Sequence, residues 1–145
     1  MSELDFDLLL SRINKKFTQN INSNLKEYDV TRTDVAYLLA IQKHSELKQY
    51  ELAEKFDINT ATVTRSLNKL EKKGLIKREE DSKDKRQKNV VLIDEGKNIL
   101  DRIGEKHTLF KKEIVKDFSS EEYSELLNLL NKLLKELEEY WYGNP

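Results

Sequence analysis

The sequence predicts a mainly α-helical fold interrupted once, by a short β hairpin, with long amphipathic helices at both ends. Three observations carry that expectation. Glycine occurs only four times in 145 residues and the single proline is Pro145, so the interior holds few helix breakers. Apolar residues recur three or four apart over most of the chain, the period of one helical face. Between Gly74 and Asp94 that period gives way to two short, partly β-branched runs flanking a charged stretch.

At this length the chain suits one unit, residues 1–145, able to bury a real core. Hydrophobic and charged residues each make up 37% of it, which still leaves enough apolar surface for a globular fold. The absence of cysteine excludes a disulfide framework, a thiolate metal site and a cysteine redox sensor. No apolar run approaches the length of a membrane span, and Met1 to Phe6 is acidic where a secretion signal would be basic, so the cytoplasm is the expected location. A net charge of −1 argues on its face against a nucleic-acid partner. The distribution reverses that impression. From Asn59 to Val90 ten Lys or Arg stand against five Asp or Glu, whereas from Asp117 to Pro145 two stand against seven. A basic middle and an acidic tail cancel in the total, and the local field is what a phosphate backbone meets.

Along the chain, Phe6, Leu10, Ile13, Phe17, Ile21 and Leu25 form one apolar stripe on a long first helix. Thr31 with Asp34 three residues on marks the cap of a second helix, expected to carry Val35, Leu38, Leu39 and Ile41 inward. A short third helix is expected over Gln49 to Phe56. A fourth runs from about Thr60 to Lys73, with Asn59 as N-cap, Val63, Leu67 and Leu70 facing a core, and Gly74 where a C-terminus favours positive φ. Leu75 to Arg78 and Val90 to Ile93 read as two strands joined by the charged tip Glu79 to Asn89. Ile99, Ile103, Phe110, Ile114 and Phe118 mark another long helix. Ser119 and Glu122 then make a capping box ahead of a heptad seam, Tyr123, Leu127, Leu130, Leu134, Leu137 and Trp141.

The third and fourth helices, joined through Asp57, Ile58 and Asn59, fit a helix-turn-helix, whose second helix lies in the DNA major groove. That role needs one buried face and another offering small or hydrogen-bonding side chains to base edges. Thr60, Ala61, Thr62, Thr64, Arg65, Asn68 and Lys69 supply the second face and the helix start. The same spacing also fits an ordinary amphipathic surface helix. The hairpin shifts the balance, because Lys83, Asp84, Lys85 and Arg86 would project where a guanidinium can enter the narrow minor groove. Its bland counterpart is a solvated, self-paired charged turn.

The stretch Leu52 to Leu100 resembles the core of the MarR family of regulators. The resemblance rests on the phrase TVTRSLNKLEKKGLIKR (Thr62 to Arg78), on Asp84-Lys85-Arg86 in the family's D-x-R position, and on Leu92 to Gly96. It implies a winged helix-turn-helix with a two-stranded β wing and long N- and C-terminal dimerisation helices. Residues 31–93 would form the DNA-binding lobe and 1–30 with 94–145 the helical dimerisation region of one unit. It further implies a homodimeric repressor on a palindromic operator of double-stranded DNA, with Thr60 to Thr64 and Arg65 at the major groove, Arg86 in the minor groove and Asp84 steadying the wing. Release by a small aromatic or phenolic effector is part of the family pattern, with Arg12, Lys16, Tyr37 and Ile41 as the pocket lining expected here. The family's cysteine-oxidation mechanism is excluded by composition. Three positions depart from the pattern: Ile93 stands for a capping threonine, Asp57 for a turn glycine and Lys48 for a Ser or Thr cap.

An enzyme would need convergent polar groups that the motifs do not supply. His44 and His107 sit in no metal-ligand spacing, His107 reads as a satisfied core histidine, and no phosphate-binding glycine loop occurs. No metal and no cofactor are therefore expected. The remaining alternative is a helical self-association or protein-interaction module without DNA binding, for which the heptad seam is the argument.

Overall fold

Several helix ends in this chain fall where caps and left-handed residues stand. The computed structural model describes residues 2–45 and 47–143, and the chain divides into two units, residues 1–106 and 107–145. In the first, α1 (Leu4–Leu25) passes into a 3-10 turn (Lys26–Tyr28) stopped by Asp29 at φ 52°. Helix α2 (Arg32–Lys43) opens on the expected capping box: the Asp34 amide donates to Thr31 Oγ1 at 3.1 Å and the Thr31 amide to Asp34 Oδ2 at 2.9 Å. Strand β1 (Leu47–Lys48) leads into α3 (Gln49–Lys55), for which Lys48 provides no side-chain cap.

The turn after α3 is a Schellman motif. The amides of Asp57 and Ile58 donate to the carbonyls of Glu54 and Ala53, with Asp57 at φ 50°. Aspartate is among the few non-glycine residues that tolerate this region, so it serves where the family pattern has glycine. Helix α4 (Thr60–Lys72) is capped by Asn59, whose Oδ1 accepts from the Thr62 amide at 2.8 Å. It ends in a second Schellman motif, with Gly74 at φ 73° and the amides of Gly74 and Leu75 donating to Glu71 and Leu70.

Strands β2 (Ile76–Glu80) and β3 (Lys88–Leu92) pair antiparallel from Ile76 opposite Leu92 to Glu80 opposite Lys88. They make the expected two-stranded wing. Strand β1 adds to the other edge of β3, Leu47 opposite Val90, so the sheet order is β1-β3-β2. Helix α5 (Asp94–Ile114) starts against the base of this hairpin, and only glycine fits there. A Cβ at Gly96 would lie 2.3 Å from the Leu75 carbonyl oxygen and 2.6 Å from Leu92 Cδ1.

The core gathers Leu38, Leu52, Val63, Leu67, Leu70, Leu75, Ile76 and Val90. One expectation about α2 is corrected. Leu39 is 45% exposed, and Tyr37, at 1%, takes the inward place with its ring edge-on to Phe56 at 5.1 Å between centroids. At about 100° per residue, Leu39 lies roughly 200° around the helix from Ile41, so the two cannot share a buried face.

In the second unit α5 stops at Ile114, and Phe118 falls in the connection because Ser119 starts a new helix. Helix α6 (Ser120–Gly143) has the predicted capping box, with Glu122 amide to Ser119 Oγ and Ser119 amide to Glu122 Oε1 both at 3.0 Å. His107, expected in a core, is exposed and lies beside the Phe110 ring, since the buried residues of α5 are Gly96, Ile99 and Leu100. Helix α1 buries only Leu25, and no residue of α6 from Ser120 to Tyr142 is buried. Among the described residues no helix is long and apolar enough to cross a membrane.

Candidate nucleic-acid interface

Helix α4 is anchored by one face. Val63, Leu67 and Leu70 are fully buried, which leaves Thr60, Ala61, Arg65, Asn68 and Lys69 exposed and Thr62 and Thr64 half-buried. Asn59 caps the Thr62 amide, so the first amides of the helix, at Thr60 and Ala61, remain on an exposed and partially positive end. Arg65 folds back along the helix, its Nη2 donating to Thr62 Oγ1 at 3.3 Å.

Three of the residues expected to face DNA are engaged inside the protein. The Thr64 hydroxyl donates to the Thr60 carbonyl at 2.9 Å and accepts from Gln49 Nε2 at 2.7 Å. Asn68 Oδ1 accepts from Arg78 Nη2. Lys69 Nζ lies 3.7 Å from Oδ2 of Asp34, the buried carboxylate of the α2 capping box. Apart from the Thr60 carbonyl, their partners sit on other elements, beyond the reach of helical spacing.

The wing tip is closed by short-range bonds. The Asp81 amide donates to the Gln87 carbonyl and the Gln87 amide to the Asp84 carbonyl. The Asp84 carboxylate accepts from the Arg86 amide at 3.1 Å, from Nε at 3.2 Å and from Nη2 at 3.5 Å. These bonds, the side-chain one foremost, hold the Asp84 carboxyl below its ordinary value. Arg86 nevertheless keeps 90% of its side chain exposed, and Lys83 and Lys85 are exposed beside it. Lys48 of β1 reaches Asp81 at 3.6 Å and ties the wing to the sheet edge.

Sequence spacing missed the most connected residue of this lobe. Arg78 on β2 donates from Nε and Nη2 to the two carboxylate oxygens of Glu71, at 3.3 and 3.0 Å, from Nη2 to Asn68, and from Nη1 to Gln49 Oε1 at 3.5 Å. The signal was present. Strand alternation puts Arg78 on the same side as Ile76, so a charged residue occupies an inward position.

The four residues expected around an effector are distributed differently. Tyr37 and Ile41 are closed within the core, and Tyr37 Oη is buried with no hydrogen-bond partner. Arg12 and Lys16 are exposed on α1. A cleft of about 510 Å³ opens instead beside Leu25, Lys26, Thr31, Arg32 and Lys69, and none of those four residues lines it. Among the described residues no group of three or more His, Asp or Glu could hold a metal ion.

A short helix, a left-handed turn, a second helix with an exposed polar face and a basic hairpin define a winged helix-turn-helix regulator. The MarR family model matches residues 30–88. An uncharacterized HTH-type transcriptional regulator of Bacillus cereus is 33% identical over 132 residues, covering 90% of this chain and 88% of that protein. SarZ, an HTH-type transcriptional regulator of Staphylococcus aureus, is 30% identical over 126 residues, covering 87% of this chain and 84% of its own. Among solved structures, the S. aureus MepR–DNA complex superposes with a TM-score of 0.75 at 26% identity, covering 90% of this chain and 97% of that one. The chain belongs to the MarR family. It is therefore a transcriptional regulator and not an enzyme.

The junction of α4 and β2 should respond to acid. The Arg78 hydrogen bond holds the Glu71 carboxyl below its ordinary 4.5, so the stabilisation is complete above that value and is lost as pH falls through the lowered one. Glu71→Gln should remove that part of the acid sensitivity. Urea unfolding at intervals between about pH 3 and 5 should show a shallower fall of stability in the variant, and identical slopes would contradict the assignment.

Proposed function

We propose that the chain is a homodimeric repressor that binds a palindromic operator in double-stranded DNA, with α4 in the major groove and the β2–β3 wing in the minor groove. The observation that carries this reading is the pairing of two free surfaces on one lobe: the exposed start of α4, and a hairpin tip whose Arg86 stays solvated. Thr60 and Ala61 would offer amides to phosphate, Thr62 and Arg65 would meet base edges, and Lys83, Lys85 and Arg86 would track the backbone and narrow groove. Thr64, Asn68 and Lys69 are assigned to holding the helix. The same reading puts the protein in the cytoplasm with the DNA it controls, and a site overlapping a promoter gives repression.

Support for the second copy comes from apolar surface. Helix α1 leaves Leu4, Phe6, Leu8, Leu9, Ile13 and Phe17 exposed, and α6 leaves Leu127, Leu130, Leu134, Leu137 and Trp141 exposed. Stripes of this length facing water mark a subunit interface. A two-fold protein then calls for a two-fold site. Selection of bound DNA from a random pool should enrich a palindrome, and sedimentation at micromolar concentration should show a dimer. A folded monomer, or no enriched sequence, would favour a helical interaction module without DNA binding.

The finer part of the proposal is release by a small aromatic or phenolic anion, for which the open cleft beside Leu25 supplies the cations of Lys26, Arg32 and Lys69. Such a ligand acts only through different affinity for the DNA-binding and released forms. Salicylate-like compounds at millimolar concentration should bind in calorimetry and weaken the operator complex together. Binding without any change in operator affinity would remove this part of the reading.

Helix and wing should fail differently. Arg86→Ala should weaken binding to all DNA and make the salt dependence shallower by about one unit. Thr62→Ala or Arg65→Ala should cost roughly 1–3 kcal/mol on the operator and much less on random DNA. Titrations of both duplexes across a salt series measure each quantity. Unchanged affinity and salt slope in a folded Arg86→Ala protein would reduce the wing to a solvated turn.

A further inference from the structure

We propose that Arg78 is a positioning residue for sequence-specific binding: without touching DNA, its guanidinium fixes the reading helix α4 to the wing and to α3. The inference rests on the DNA-binding reading above and adds a residue that the interface itself does not contain.

The argument is one of saturation and placement. The Arg78 side chain is 17% exposed, and both branches of its fork close on the Glu71 carboxylate while Asn68 and Gln49 take further donors. Its own amide also donates to Glu71 Oε2, at 3.0 Å. With four of its five N–H groups engaged and its charge matched at the fork, Arg78 has little left to offer a phosphate. Arg86 is the contrast, paired only within its own loop and almost fully solvated.

The partners of Arg78 lie on the two helices whose relation to the wing decides recognition. Asn68 and Glu71 belong to α4, and Gln49 opens α3. Gln49 extends the chain of bonds, accepting from Arg78 at Oε1 and donating from Nε2 to Thr64, whose hydroxyl reaches the Thr60 carbonyl in the first turn of α4. A continuous path thus runs from the base of the wing to the end of the helix that would meet base edges. Hydrogen bonds to bases fail with displacements near an ångström, whereas attraction to phosphates falls slowly with distance. Loosening this path should therefore cost specificity before it costs general affinity. The planar fork is what makes the pairing, so lysine cannot replace it.

The test compares full-length wild type with Arg78→Gln, Arg78→Lys and Gln49→Met. Each is titrated with the selected operator duplex and with a random duplex of equal length across a potassium chloride series, after thermal melting establishes folding. Both Arg78 variants should lose about tenfold or more in operator affinity while random-duplex affinity stays within about threefold and the salt slope is unchanged. Gln49→Met, which keeps the Arg78–Glu71 pair, should shift the operator-to-random ratio in the same direction by less. Equal loss on both duplexes in Arg78→Gln, with a salt slope about one unit shallower and recovery in Arg78→Lys, would make Arg78 a phosphate contact and overturn the proposal. An unchanged ratio in every folded variant would overturn it as well. If the Arg78 proteins do not fold, Gln49→Met decides alone by the same ratio. A wild type that prefers no duplex would sink the operator reading itself, an outcome distinct from a variant that loses the preference.

Discussion

The burial of Val63, Leu67 and Leu70 fixes which side of α4 meets solvent, and the rest of the lobe is arranged around that choice. Removing each of these side chains from water is worth about 1.5–3 kcal/mol, more than the net value of about 1 kcal/mol for an ordinary hydrogen bond. Rotating α4 by one residue, about 100°, would expose this set and bury Thr64 and Asn68 in its place. Apolar burial therefore sets the coarse orientation of the helix. The polar contacts at its flanks adjust an orientation that is already chosen.

Those contacts also decide where positive charge is free. Of the ten Lys or Arg between Asn59 and Val90, Lys69, Lys73, Lys77, Arg78 and Arg86 lie in ion pairs. The exposed ones, Lys77 with Glu79 and Arg86 with Asp84, contribute little stability, about 0–1 kcal/mol each, but every pair neutralises field and fixes direction. Lys69 and Lys73 face Asp34 and Asp29 at the α2 end, so the C-terminal half of α4 is tied to the scaffold. The basic count read from the sequence overstates what DNA would feel there. Exposed positive charge outside these pairs remains at Arg65 and Lys72 of α4 and at Lys83, Lys85 and Lys88 of the hairpin, and Arg86 keeps its guanidinium in water.

Legibility of the sequence followed the range of the interaction. Caps and turns were readable, because Thr31 with Asp34, Asn59, Gly74 and Ser119 with Glu122 act over three or four residues. The buried stripe of α4 was readable from its period, and so was the hairpin from the change of period. Strand β1 was not, since two residues show no alternation, and its pairing with β3 depends on residues more than forty positions away. The inward place of Tyr37 in α2 was within reach of the helical period, four residues before Ile41, whereas its edge-on contact with Phe56 was not. The exposed start of α4 and the charged hairpin tip were legible in outline for the same reason, and the engagement of Thr64, Asn68 and Lys69 was not, because Gln49, Arg78 and Asp34 meet them only after folding.

Charge segregation adds a constraint that no single contact supplies. Residues 117–145 carry two basic against seven acidic side chains, and the basic residues concentrate between Asn59 and Val90. A phosphate backbone attracts the second region and repels the first, and at physiological salt each effect is confined to about 8 Å. Repulsion of that range acts only where the acidic segment itself comes near DNA. It disfavours encounter complexes in which the acidic segment meets DNA, so part of the selection of the binding face is made by exclusion before any base is read. The near-neutral total, which argued against a nucleic-acid partner, is the arithmetic result of one chain carrying both an attracting and an excluded surface.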